Sequence, residues 1–135
     1  MLRIARLTDY ATVVMTVLAE APGAVLSTTE LAERAGLEAT TVAKVLKPLA
    51  QHGLVEAFRG SAGGYKLARD ARDINLGDVV EAMEGPLAMT ECCSADTGCA
   101  ISRACRSRHA WQRVNHLIAD ALRATPLLPT EGAHQ

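Results

Sequence analysis

Two helix-forming segments, a short turn and a glycine-rich hairpin pattern constrain this chain more than any other feature. STTELAERAG places Ser27 and Glu30 at the spacing of a capping box and ends at Gly36, which predicts a short helix. ATTVAKVLKPLAQHG carries one apolar stripe and ends at Gly53, which predicts a second helix. Two helices across so short a turn are typical of a helix-turn-helix. The stripe consists of Val42, Val45, Leu46 and Leu49.

A hairpin pattern follows the second helix. LVEAFRG and GYKLA flank the stretch GSAGG, which predicts two short strands joined by a glycine-rich turn. We expect Gly60, Gly63 and Gly64 at positions where a positive φ or a close backbone approach excludes a Cβ. A helix-turn-helix followed by such a hairpin is a winged helix. The predicted fold class is therefore mainly α with a small β-hairpin wing.

Three further segments predict helices. TDYATVVMTVLAEAPG indicates a buried helix from Thr8, LGDVVEAMEG indicates another after Asn75, and a long amphipathic run extends from about Ala100 to Ala124. Because the apolar stripe of this run is too broad to face water, we expect it to pair with a second copy or to fold back on its own core, and we favour a homodimer. The predicted organisation is a DNA-binding domain at 1–85, a cysteine-rich cluster-binding loop at 86–105, a dimerisation helix at 106–125 and a flexible tail at 126–135.

Composition excludes several classes of protein. The 135 residues are 49% hydrophobic with a formal net charge of −1, as in a globular protein of one domain without a global basic excess. No apolar run reaches the roughly 18 residues of a membrane span, and the N-terminus lacks the pattern of a secretory signal. We therefore expect a cytoplasmic protein without a membrane partner. No set of acid, base and orienting group can be identified, so we do not expect an enzyme.

The local charge of the second helix and the hairpin is positive. Between Thr40 and Arg69 five basic residues face one acid, Glu56. Hydroxyl and ammonium groups at the start of the second helix can reach phosphates or base edges in the major groove, and Arg59 suits the adjacent backbone or minor groove. The alternative is an ordinary solvated face. We predict double-stranded DNA as the partner, with contacts from Thr40, Thr41, Lys44, Lys47 and Arg59.

All four cysteines stand within fourteen residues, at Cys92, Cys93, Cys99 and Cys105. In a reducing cytosol, clustered thiols indicate metal binding or redox chemistry rather than structural disulfides. The five-residue spacings are wider than those of structural zinc pairs. An iron–sulfur cluster held by three thiolates takes a further ligand or stays open to react. A zinc site and inert buried cysteines remain alternatives. Candidates for the further ligand are Asp96, His109 and, if the first helix lies near, Asp9.

Together these motifs resemble the Rrf2 family of iron–sulfur winged-helix regulators, closest to its regulators of SUF-system iron–sulfur assembly. The resemblance rests on LTDYA, on LAERAGLEATTVAKVLKPLAQHGLVEAFRGSAGGYKLARD, on TEC with three spaced cysteines and on an A-W-x-x-V-N helix, and it covers about residues 1 to 125. It implies a homodimer that holds one [2Fe-2S] or [4Fe-4S] cluster per subunit and changes its operator affinity with cluster state. The wing motif R-G-x-x-G-G-Y adds Gly60, Gly63, Gly64 and Tyr65 to the predicted DNA contacts.

The resemblance also implies which cysteines bind the cluster. The three-cysteine motif falls on Cys99, Cys105 and either Cys92 or Cys93, and the adjacent pair stays unresolved. The function implied is a transcriptional regulator that senses cluster status, or oxidative or nitrosative stress, and controls iron–sulfur assembly genes. A nitric-oxide-sensing repressor of the same family and a zinc-binding winged-helix repressor are the alternatives.

The fourth ligand depends on the branch of the family. IscR-like members have a histidine separated from the last cysteine by two residues, but here Arg108 occupies that place and His109 follows it. NsrR-like members supply an aspartate from the first helix in a Thr-Asp context, which Asp9 matches. We therefore rank Asp9 above His109, and Asp9 can reach across the dimer.

Overall fold

The computed structural model describes residues 4–88 and 106–128. Within these ranges the chain forms five α-helices and one antiparallel hairpin. The predicted fold class, mainly α with a small hairpin wing, is confirmed. None of the described helices is long and apolar enough to cross a membrane. In chain order the elements are α1 (Arg6–Glu20), α2 (Thr28–Ala35), α3 (Ala39–Gln51), β1 (Val55–Phe58), β2 (Gly64–Leu67), α4 (Leu76–Glu84) and α5 (Arg108–Arg123).

Helices α1 to α4 enclose one hydrophobic core. The predicted stripe of α3 faces this core, and its four side chains are at most 1% exposed. Met15 of α1, Leu31 of α2 and Val79 of α4 are fully buried in the same cluster. Each such side chain contributes about 1.5–3 kcal/mol by leaving water. This core fixes the position of α3 relative to the rest of the domain.

The helix-turn-helix forms as the capping residues predict. The Ser27 hydroxyl accepts a hydrogen bond from the Glu30 backbone N–H at 3.1 Å, and the Glu30 carboxylate accepts one from the Ser27 N–H at 3.1 Å. Gly36 ends α2 in the left-handed conformation with φ of 70°. The Leu37 N–H then donates to the Ala32 carbonyl at 3.0 Å, a bond typical of a helix C-terminus that ends at a left-handed glycine. Three residues therefore separate α2 from α3.

The wing is joined to the core along one side. β1 and β2 pair in the register Val55↔Leu67 to Phe58↔Gly64. Tyr65 and Leu26 exchange two backbone hydrogen bonds of 2.8 Å each and form an isolated bridge. A Cβ at Gly64 would overlap the Leu26 carbonyl, so a glycine is required where the segment before α2 crosses the hairpin.

Hydrogen bonds from the start of α1 and from α5 hold Glu84 and Leu87 at the end of α4. The buried Thr8 hydroxyl donates to Glu84 Oε2 at 2.6 Å, and the Ala5 N–H approaches the same oxygen at 3.4 Å. The Asn115 side chain donates to the Leu87 carbonyl at 3.1 Å. Together these bonds connect the start of α1 and the middle of α5 to the end of α4.

Two predicted boundaries are corrected by the structure. The flexible tail was expected from residue 126, but Pro126 bridges Asn75 and Leu127 is only 7% exposed in the core. The reason is that Leu127 is apolar and is buried among the core side chains. Residues 129–135 lie outside the described ranges. The last helix begins at Arg108 rather than near residue 100 or 106, because residues 106 and 107 form a turn. Most of the cysteine-rich loop, 89–105, is also outside the described residues.

Candidate nucleic-acid interface and sensor region

Helix α3 presents polar and basic side chains on the face opposite its buried stripe. Thr40, Lys44 and Lys47 are exposed, and Thr41 is half-buried. The N-cap Glu38 makes no side-chain capping bond, so its carboxylate does not cap the first backbone N–H groups of α3. A helix that is anchored along one side and carries hydroxyl and ammonium groups along the other suits insertion into a major groove.

The tip of the wing extends the same basic character. Arg59 and Gly60 lie in the exposed turn between β1 and β2, and Gly60 has a φ of 105°. Gly63 is needed because a Cβ there would overlap the Phe58 carbonyl. Tyr65 is half-buried against the core. Among the predicted DNA contacts, Arg59 is thus free to reach a partner, while Gly63, Gly64 and Tyr65 each have a structural role within the fold.

The outer wing face, formed by Glu56, Phe58 and Lys66, was not predicted as a site. The Lys66 ammonium lies 5.2 Å from the centroid of the Phe58 ring, within the range of a cation–π contact. Phe58 is 39% exposed. The period-two alternation of β1 carries the signal for this face, because Phe58 and Glu56 alternate with the core-facing Val55.

Asp9, the higher-ranked ligand candidate, lines an open groove of about 670 Å³ between α1, α4 and α5. Asp9 is exposed to solvent. Glu84 and Leu122 line the same groove, and the Thr8–Glu84 hydrogen bond fixes the helix turn that carries Asp9. The groove therefore presents a carboxylate near the point where the chain leaves α4 for the cysteine-rich loop. Sequence patterns gave no sign of the Thr8–Glu84 pair, which joins residues 76 positions apart.

The remaining predicted ligands lie at the other end of that loop or within it. His109 is exposed in the first turn of α5. Arg108 beside it is half-buried, and within the described part of the chain its Nε is buried without a hydrogen-bond partner. The described residues contain no group of three or more potential metal ligands. Cys92, Cys93, Cys99, Cys105 and Asp96 lie outside the described ranges.

A second surface, the assembly face, is apolar rather than charged. It consists of Ile4 and Leu7 at the start of α1 and of Trp111 and Leu117 on α5, and these side chains are 40–57% exposed. No residue of α5 is buried. In the predicted stripe, Val114, Ile118 and Leu122 are half-buried, while Trp111, Leu117 and Ala121 are exposed, so its own domain covers the stripe only in part.

Comparison with known proteins identifies the class to which this arrangement belongs. A model of the Rrf2 family, described as iron-dependent transcriptional regulator, matches residues 4–128. The HTH-type transcriptional regulator NsrR of Bacillus subtilis (strain 168) is 36% identical over 110 residues, which are 80% of this chain and 75% of that protein. The names of both the family and this relative agree with the prediction of a regulator rather than an enzyme.

Solved structures share the same fold. The structure of CymR (YrzC), the global cysteine regulator of B. subtilis, has a TM-score of 0.74 at 28% identity and covers 94% of each chain. The structure of T. potens IscR has a TM-score of 0.72 at 29% identity and covers 93% of this chain and 83% of that one.

Proposed function

The chain belongs to the Rrf2 family of iron-dependent transcriptional regulators, and on this premise we propose that it is a homodimeric DNA-binding regulator whose operator affinity depends on a bound iron–sulfur cluster. The observation that carries the proposal is the two-sided character of α3. Its apolar side chains are buried, while Thr40, Lys44 and Lys47 are exposed beside the wing. In a chain of net charge −1, this local basic surface suits duplex DNA.

The assembly face supports the homodimer. The groove that Asp9 lines adjoins this face, since Ile4 of the assembly face and the half-buried Leu122 of α5 both line it. A second copy covers such a face with the same residues on both sides, as in other two-fold symmetric assemblies. The dimer also places two α3 helices for two half-sites about one helical turn of DNA apart.

The donor set fits an iron–sulfur cluster. Cys99, Cys105 and either Cys92 or Cys93 supply soft thiolates, and Asp9 supplies a carboxylate from an exposed position in the groove. The buried Arg108 Nε adjoins the end of the cysteine-rich loop and has no acceptor among the described residues. An anionic sulfur ligand would satisfy this donor.

When bound, the cluster would supply a redox-sensitive link between α1, the cysteine-rich loop and α5. Asp9 and Arg108 lie on the two helices that this link would join. Cluster loss would change DNA affinity only through a difference in cluster binding between the two arrangements of the dimer, with a typical coupling of about 1–3 kcal/mol. A carboxylate ligand makes the cluster easier to lose than four thiolates would, which suits a sensor of iron–sulfur status and a regulator of cluster-assembly genes.

The test is metal analysis joined to DNA binding on one anaerobic sample. We expect iron and acid-labile sulfide in near-equal amounts, visible absorbance, and a DNA affinity that changes when oxygen bleaches the protein. Zinc without colour, with DNA binding indifferent to oxygen, would support the zinc-binding repressor instead. A response to nitric oxide but not to cluster supply would favour the nitrosative-stress alternative.

Ligand variants refine the assignment. We expect Cys99→Ala to abolish cluster absorbance in a protein that still folds, and Asp9→Asn to leave a more labile cluster. His109→Ala should behave like His116→Ala, a matched control because both histidines are exposed on α5. Cluster loss specific to His109→Ala would make that histidine the fourth ligand. Comparing Cys92→Ala with Cys93→Ala decides between the adjacent cysteines.

A further inference from the structure

One exposed aromatic side chain is left unexplained by the dimer. Four of the five large apolar side chains exposed in the described ranges belong to the assembly face. The fifth is Phe58, on the wing. It is the single phenylalanine of a chain with only 3% aromatic residues, and it lies beside the predicted DNA-contacting turn.

The hairpin register explains the conformation of Phe58. Its cross-strand neighbour is Gly64, which has no side chain and must stay glycine because of the Leu26 carbonyl. Phe58 therefore packs with its diagonal neighbour on β2, Lys66, whose ammonium lies 5.2 Å from the ring centroid. Diagonal pairs on one face of a hairpin are within reach of aromatic and long side chains.

Lys66 contacts the ring rather than the carboxylate that lies across from it in the hairpin. Glu56 is directly opposite Lys66 in the hairpin, but the two make no salt bridge in the part of the chain that the structure describes. The ammonium thus remains available for an anion from outside the protein. Its side chain has already lost part of its rotational freedom against the ring, which lowers the entropic cost of a further contact.

We propose that the outer wing face, through Phe58 and Lys66, contacts the sugar–phosphate backbone of duplex DNA next to the groove that the wing tip enters. Lys66 pairs with a phosphate, and the exposed part of the Phe58 ring lies against the adjoining sugar. Phe58 acts mainly as a positioning residue for Lys66. The proposal rests on the proposed DNA-binding function and adds a backbone contact to it.

The salt dependence of DNA binding tests the phosphate contact. The probe is a random-sequence duplex of about 30 base pairs, long enough for two half-sites, titrated with anaerobically purified full-length protein. Lys66→Met should reduce the slope of log Kobs against log salt by about 0.9 per protomer, or about 1.8 per dimer, because one released counterion is lost at each wing. Arg72→Gln is the matched control: it removes the same charge from an exposed guanidinium that Asp70 binds at 3.0 Å.

A double-mutant cycle tests the role of the ring. Phe58→Leu keeps an apolar side chain but removes the π face, and it should weaken binding about two- to fivefold per protomer. In the Lys66→Met background the same change should have little further effect, since the residue acts through Lys66. Glu56→Gln should have the opposite sign and tighten binding, because it removes a negative charge from the face that approaches phosphate.

The possible results separate this inference from the proposed function. If Lys66→Met and Arg72→Gln change the slope equally, or if Glu56→Gln does not tighten binding, the outer wing face does not meet DNA and the inference is wrong while DNA binding stands. Equal losses from Phe58→Leu in both backgrounds would overturn its positioning role. If the unmodified protein binds no DNA at any salt concentration, the proposed function itself fails. The four substituted side chains are exposed or half-buried, so thermal melts should confirm that the variants fold; they are Glu56, Phe58, Lys66 and Arg72.

Discussion

Helices α3 and α5 are both amphipathic, yet they end in opposite environments. In α3 the apolar side chains Val42, Val45 and Leu49 are 0% exposed. In α5 the comparable side chains Trp111 and Leu117 are 40% and 57% exposed. The periodicity of a sequence therefore identifies the apolar face of a helix but not what covers it.

The two helices differ in where the free energy of burial comes from. The core that positions α3 lies within one chain, so its contribution does not depend on protein concentration. In the proposed homodimer the assembly face of α5 gains its burial from another molecule, so its contribution would rise with protein concentration by mass action. This division suits the proposed sensor, in which a change at the dimer contact would alter the relative position of two DNA-binding domains.

The largest effect should come from the core of α3. Leu46→Ala removes a side chain that is 1% exposed and leaves a cavity, which costs about 2–5 kcal/mol in the free energy of unfolding. Urea denaturation measures it at a protein concentration low enough to give the monomer. The same loss should appear at high concentration. A loss that disappears on dimerisation would mean that α3 also depends on the partner for its burial.

Leu117→Ala should show the reverse behaviour. The proposed symmetric interface contains two copies of Leu117, and losing both side chains should weaken the dimer by ~2 kcal/mol, about thirtyfold in the dissociation constant. Sedimentation equilibrium measures the constant, and the unfolding of the monomer should not change. His116→Ala, an exposed neighbour about 100° around the helix, serves as the control. Equal effects of the two variants would place the dimer contact elsewhere.

Local sequence signals accurately predicted the helix-turn-helix and the wing, residues 27–67, which we call the reading half. Ser27, Glu30 and Gly36 define α2 by interactions within ten residues of one another, and the α3 stripe needs only the helical period. Contacts between residues far apart in the sequence could not be predicted from such signals. Leu127 is buried because the chain returns to the core after α5, and Thr8 meets Glu84 only in the folded domain. No period or cap encodes either contact.

The candidate site shows the same division between local and non-local information. The exposure of Lys44, Lys47 and Arg59 follows from helix and hairpin periodicity. The glycines of the wing motif were predicted for positive φ or close approach, and the structure gives Gly60 the first reason and Gly63 the second. The Phe58–Lys66 contact needed the strand register, which sequence patterns do not fix to a single residue.

A smaller effect should follow from removing the cap of α2. Ser27→Ala loses the acceptor for the Glu30 N–H and should cost about 1 kcal/mol. Because this cap lies entirely within the reading half, thermal or urea unfolding should show the same loss at low and high protein concentration. Ser61→Ala, in the exposed turn of the wing, is the control and should be close to neutral. A concentration-dependent loss would connect α2 to the dimer.

The smallest effect concerns the pH dependence of the same cap. The backbone N–H and the side chain of Ser27, with a smaller contribution from Arg34, hold the pKa of Glu30 below its ordinary value of 4.5. Since the folded pKa is lowered, the ionised carboxylate stabilises the fold fully above pH 4.5 and loses this contribution as the pH falls through the folded value.

Glu30→Gln keeps a capping side chain without the titration. Its melting temperature should therefore lie slightly below that of the unmodified protein at pH 7 and approach it near pH 3. Glu33→Gln, an exposed change on the same helix outside the capping box, should show no such convergence. If the two variants have parallel pH profiles, the capping box contributes no pH-dependent stability and the reading half owes its acid response to other carboxylates.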